Sequence, residues 1–272
     1  MNPLLRNSRL KLSQGIIFWR EVGKGPTLVF LHGSWSDGDE WLPLMERLGG
    51  EYHCLAPDLL GFGESEQPDV HYSIALQVEY LAEYLDALNL RQVYLVGHSL
   101  GGWIAASYAL KYPDRVTGMV LLAPEGVKPE GASRNWWWAR ALIERPKLAD
   151  WLLRSLQKLL KLKVIGRLGK IRLFLKQLQQ MLETPAACQL LFQRRRAEIQ
   201  AELLQDQLPD LKIPVSILEN EQDTPTAKAL CQIYAELIPK AQLKTLSSLE
   251  DDVPEKLPDQ VAEQIRKLVL SH

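Results

Sequence analysis

The segment Val93-Tyr94-Leu95-Val96-Gly97-His98-Ser99-Leu100-Gly101-Gly102 constrains the fold of this 272-residue chain more than any other. A short apolar run of strand character leads into Gly-x-Ser-x-Gly, and a helical pattern over residues 100–112 follows at once. A strand and a helix joined this tightly can pack only if glycines stand two residues either side of the serine, since a Cβ there would strike backbone. The Ser99 hydroxyl is then pushed above the end of the strand. The Leu100 N–H, at the helix start, points toward any negative charge that develops beside it.

The same strand–helix rhythm runs along most of the chain. Residues 10–12 and 16–22 read as an opening antiparallel pair around Gly15. Residues 27–31, 53–56, 118–122, 214–218 and 243–246 read as further strands, the first of them a continuous apolar run suited to burial on both faces. Helical patterns occupy 40–48, 74–88, 100–112, 227–237 and 259–270, and Pro113 ends the third of these. Alternating βα units predict an α/β fold with a mostly parallel sheet and right-handed crossovers. After Pro124 the rhythm gives way to helical patterns alone until Pro214. The expected division is a core of residues 1–125 and 210–272 with a helical cap over 126–209.

His32-Gly33-Ser34-Trp35 follows the first buried run. A backbone N–H of Ser34 or Trp35 is the expected second donor to an oxyanion, with Leu100 supplying the first. His32 itself is expected to hold this loop through its ring nitrogens. The turn Asp58-Leu59-Leu60-Gly61-Phe62-Gly63-Glu64-Ser65 contains Gly-x-Gly but lacks the third glycine of a dinucleotide fingerprint, so a nucleotide site is rejected.

Together these segments resemble the α/β-hydrolase fold family: Leu31-His32-Gly33, Asp58-x-x-Gly61-x-Gly63-x-Ser65, Gly97-His98-Ser99-Leu100-Gly101-Gly102 and Tyr112-Pro113-Asp114-Arg115-Val116 stand in its order and spacing. The resemblance implies an eight-stranded sheet with a helical lid after the sixth strand and acyl-transfer chemistry at Ser99. It also implies an acid after the seventh strand, where Asp223 stands, and a histidine base at position 251. Glu250-Asp251 occupies that place instead, and no histidine lies between His98 and His272. His98 is expected to point into the packing of the turn, His71 to be exposed near the sheet's C-terminal edge, and His53 to start a strand at the edge opposite that one. An unassisted serine hydroxyl is a weak nucleophile. An aspartate near its ordinary pKa of about 4 is a poor base unless burial raises it.

Charge is distributed unevenly. Residues 126–205 hold 16 Lys/Arg against 6 Asp/Glu, a net of +10 where the rest of the chain carries −11. Residues 152–176 contain eight cations and no acid, with leucines at helical spacing, and Trp136-Trp137-Trp138 precede them. One reading lays this basic, tryptophan-bearing cap on an anionic membrane surface. The other packs its apolar stripes on an acidic core. The leucine content argues against nucleic acid as a partner.

The pocket between cap and sheet, with Trp136, Trp137 and Trp138 at it, is expected to take a hydrophobic ester or lipid-like ligand, without metal or cofactor. The three distant cysteines and the lack of an apolar leader over residues 1–16 predict a cytoplasmic protein, peripheral on a membrane in the first reading. Two functions follow. One is a serine hydrolase with an unorthodox or impaired triad. The other is a catalytically silent relative that binds a lipid-like ligand, a membrane surface or a partner protein.

Overall fold

The apolar runs become strands of a single sheet because their side chains find cover on both faces. The computed structural model describes residues 4–129, 179, 184–247 and 254–270. Its strands are β1 (Arg6–Lys11), β2 (Ile16–Val22), β3 (Thr27–Leu31), β4 (His53–Pro57), β5 (Val93–His98), β6 (Val116–Leu122), β7 (Val215–Asn220) and β8 (Ala241–Leu246). They lie in the order β1-β2-β4-β3-β5-β6-β7-β8. β2 runs antiparallel to both β1 and β4, and every other neighbouring pair is parallel. The central pair β3 and β5 therefore opens its C-terminal ends onto the same edge, where a parallel sheet leaves room for loops that do chemistry.

Seven α-helices follow in chain order among the described residues: α1 (Leu42–Leu48), α2 (Ile74–Ala87), α3 (Leu100–Lys111), α4 (Pro185–Cys188), α5 (Arg196–Ala201), α6 (Pro225–Leu237) and α7 (Pro258–Leu270). Leu81 and Leu85 of α2, Ile104 of α3 and Tyr234 of α6 pack with Val29, Leu95 and Ile217 on one face. Leu44 and Met45 of α1 and Val261 and Ile265 of α7 pack with Phe30, Val96 and Val120 on the other. Alternation along each strand thus feeds two helical layers. The cap region leaves the sheet after β6 and rejoins it at β7. At its neck Leu204 N–H donates to Gly126 O at 2.9 Å, and Lys128 and Gln205 exchange two further bonds.

Two local expectations need correction. The first strand is Arg6–Lys11 and not residues 10–12. It is polar and largely exposed because it lies at the sheet's edge, where charged side chains discourage pairing with another chain. The helix expected from residue 40 starts at Leu42, and Gly38–Trp41 form a separate 3-10 turn capped by Asp37. Pro43 in the first turn of α1 supplies no N–H of its own, which suits a helix start and not a helix interior.

The Gly61-x-Gly63 turn is a support rather than a phosphate cradle. Asp58, fully buried, accepts N–H bonds from Gly38 at 2.8 Å and Glu64 at 2.7 Å and pairs with the buried Arg20. Gly63 has φ +51°, and a Cβ on it would lie 2.2 Å from Asp58 Oδ2. Glycine is needed there so that the chain can close around the carboxylate. Removing Asp58 leaves the Arg20 charge buried without its innermost partner, a change that costs about 3–5 kcal/mol. Asp58→Ala is expected to lower the urea midpoint accordingly at unchanged slope. A loss under about 1 kcal/mol would mean that Asp37 and Asp39, Arg20's other partners, carry its charge.

Candidate active site

Ser99 stands alone between the last residue of β5 and the first of α3, with φ 50° and ψ −111°. Few residues other than glycine adopt positive φ without strain. Hydrogen bonds fix this backbone on both sides. Ser99 N–H donates to Leu122 O at 2.9 Å, and its carbonyl accepts from Gly102, Trp103 and Glu125 N–H at 3.0–3.2 Å. Gly101 packs so closely that a Cβ on it would sit 2.0 Å from Leu31 O, and one on Gly97 would sit 2.6 Å from Gly101 O. The turn therefore has the glycines that its spacing demanded.

The loop after β3 lies against this turn. A Cβ on Gly33 would be 3.6 Å from Ser99 Cβ and 3.0 Å from His98 Nδ1. His32 is fully buried and makes the loop-holding bonds expected of it. Its Nε2 accepts from Leu59 N–H at 3.0 Å, which leaves Nδ1 to donate to Gly33 O at 2.9 Å. Ser34 is buried next to Gly33, and its Oγ meets no partner among the described residues. Trp35 stacks on Phe192, from the π-helical turn Gln189–Gln193 of the cap region, with ring centroids 6.1 Å apart. Leu100 opens α3, so its N–H belongs to the helix's leading turn, which has no intrahelical acceptors.

His98 packs against the loop after β3 with its ring partly exposed, and Nδ1 lies 3.4 Å from Oε2 of the buried Glu40. Burial works against the charged ring, but Glu40, with Asp223 and Glu125 behind it, outweighs that effect and pushes the His98 pKa up. Asp223, in the turn after β7, is half-buried, and its Oδ2 accepts Asn220 N–H at 2.8 Å. Burial moves its pKa up, against the pull of that bond and of His98.

The structure thus brings Ser99, Leu100, the Gly33–Trp35 loop and His98 together, with Asp223 within electrostatic reach of the imidazole. His71 is exposed and 3.3 Å from Glu198, and His53 stands at the start of β4, an interior strand, 3.0 Å from Glu21. Asp251, Trp136, Trp137, Trp138, residues 152–176 and His272 lie outside the described residues. Glu40 was missed by sequence reasoning, which placed it on an ordinary helix start. Its one signal was an acid directly before the buried Trp41. Among the described residues no group of three or more His, Cys, Asp or Glu side chains could hold a metal. All three cysteines are buried, which pushes their thiols up to about 12.

Comparison with known proteins places this geometry. Over 141 residues the chain is 34% identical to 2-hydroxy-6-oxo-2,4-heptadienoate hydrolase of Pseudomonas putida, a stretch covering 48% of this chain and 50% of that one. It is 38% identical over 104 residues to a haloalkane dehalogenase of Agrobacterium fabrum, covering 38% and 34%. Such matches span between 32% and 50% of the length of the first curated relatives. In three dimensions it is similar to a thermophilic esterase of Thermogutta terrifontis, with a TM-score of 0.73, 22% identity and 98% of both chains covered. At that identity the likeness concerns the fold alone. The family model for the alpha/beta hydrolase fold matches residues 26–249, which takes in every strand from β3 to β8, and the chain belongs to that family.

Proposed function

We propose that this protein is a serine hydrolase acting on hydrophobic carboxylic esters or lipid-like acyl compounds. The observation that carries the reading is the strained, fully anchored backbone of Ser99 beside two turns that offer N–H groups. Strain of this kind costs on the order of 1–3 kcal/mol and persists where a function needs it. Ser99 Oγ attacks the acyl carbon, and the alcohol leaves with a proton. Leu100 N–H and a Ser34 or Trp35 N–H stabilise the tetrahedral oxyanion, and water then releases the acid. A serine also argues against the carbon–halogen chemistry named for one relative. Displacing a halide would leave an ether at Oγ with no carbonyl for water to attack, whereas an acyl-serine hydrolyses.

In this reading Asp223 is the acid and Asp251, at the sequence position where histidine was implied, accepts the Ser99 proton. Ester hydrolysis over a chain-length series is expected to fall about 10³-fold or more in Ser99→Ala, and steeply in Asp251→Ala. A carboxylate base predicts activity that persists to about pH 5, since the base is lost only on protonation in the carboxylate range. An imidazole base would lose activity below about pH 6.5. Equal near-background rates for native protein and Ser99→Ala would instead support the second reading, a catalytically silent binder, which the missing histidine favours.

The cap extends the proposal. Eight cations without an acid over residues 152–176 suit an anionic membrane surface on which such substrates reside. No helix of the described residues is long and apolar enough to cross a membrane. Sedimentation with anionic liposomes is expected at low salt and to weaken at high salt. Failure to bind at either salt would remove the membrane from the account.

A further inference from the structure

Glu40 is an odd residue to bury. A carboxylate taken out of water is costly unless its oxygens are matched, and this side chain is 4% exposed. Both oxygens have partners, and the partners lie on different segments. Oε1 accepts Gly33 N–H at 3.0 Å, and Oε2 lies 3.4 Å from His98 Nδ1. Gly33 opens the loop that carries Ser34 and Trp35, and His98 is the residue before Ser99. The two turns that must present N–H groups to one oxyanion come from different strands, β3 and β5. The strands are paired up to Leu31 and Gly97, and Gly101 packs on the Leu31 carbonyl; beyond the strand ends, this carboxylate adds a side-chain link between the two turns.

We propose that Glu40 is a positioning residue of the site: its buried carboxylate clamps the Gly33–Trp35 turn to the Ser99 turn and holds the His98 ring beside the nucleophile. The pairing also has an electrostatic consequence. Groups facing His98 from the surrounding elements are Glu40 of the 3-10 turn, Asp223 after β7 and Glu125 after β6, all acidic. Together they favour the imidazolium, the form in which the residue before the nucleophile is a cation. In that form it offsets part of the negative potential that the three carboxylates impose beside Ser99. The ring charge is lost as pH rises through a folded value above the ring's ordinary 6.5.

The inference rests on the serine-hydrolase reading for its kinetic readout only. Two variants separate the two halves of the clamp. Glu40→Gln keeps a carbonyl oxygen that can accept Gly33 N–H but has no charge to offer His98. Glu40→Ala removes both contacts. In Glu40→Gln, kcat for ester hydrolysis is expected to fall about 10–100-fold with KM within about twofold, because the lost interactions act on the transition state. The His98 ring pKa, followed by NMR, is expected to drop in both variants. Protection of the Gly33 amide from hydrogen exchange should survive in Glu40→Gln and vanish in Glu40→Ala.

His98 titration and Gly33 exchange unchanged from the native protein in both variants would overturn the clamp whatever the kinetics. A moved titration with kcat unchanged would overturn the positioning role. If the native protein shows no Ser99-dependent hydrolysis, the functional reading fails, while the NMR titration and exchange still decide whether Glu40 joins the two turns. His98→Gln, with Glu40 intact, is expected to lower kcat without altering Gly33 protection, which separates the charge from the clamp.

Discussion

The positive φ of Ser99 is the constraint around which the centre of the molecule is arranged. It can be maintained only if the helix that follows lies directly on the strands beside it. That approach requires Gly101 against the Leu31 carbonyl and Gly97 against the backbone of Gly101. Four hydrogen bonds then hold the residue, one from its own N–H to Leu122 at the end of β6 and three to its carbonyl. These contacts tie together β3, β5, β6 and α3, so the strain is distributed over the best-packed part of the sheet. A serine in an ordinary loop could be exposed just as well. It would not be held still, and holding still is what makes N–H groups effective toward a developing charge.

The electrostatics of the site follow from what surrounds that turn. Three acids, Glu40, Asp223 and Glu125, act on one imidazole. Their combined field would oppose an oxyanion if the ring were neutral. With His98 charged, part of that field is offset, and the cation is the member adjacent to Ser99 in the chain. Asp223 illustrates the same balance from the other side: burial favours its neutral form, and His98 and Lys228 draw it back toward the anion.

Much of this was legible in the sequence, and for physical reasons. β3 and β5 are buried on both faces, so they appear as unbroken apolar runs. The Ser99 turn demands glycines at fixed offsets, so its geometry is written in the spacing. His32 could be assigned to the loop because a histidine there has the Gly33 carbonyl beside it, although its second partner, Leu59 N–H, comes from a distant turn. Other features were hidden. β1 carries Arg6, Asn7, Ser8 and Arg9, and an edge strand with one exposed face needs no apolar pattern. Glu40 looked like the first residue of an ordinary helix. Its role depends on Gly33 and His98, partners 7 and 58 residues away that only the folded sheet brings to it. The acid facing His98 was hidden for the same reason, since the two stand far apart in the chain.

The central claim is that Ser99 is an activated nucleophile, and covalent capture tests it most directly. Incubation with an alkyl fluorophosphonate, followed by peptide mass mapping, should show a single phosphonyl adduct on the peptide that contains Ser99. Fluoride departs as the serine oxygen bonds to phosphorus, and the adduct is held by the same N–H groups that would receive an oxyanion. The account predicts stoichiometric labelling of Ser99 and none in Ser99→Ala. An unlabelled protein, or an adduct on another residue with Ser99 intact, would contradict it.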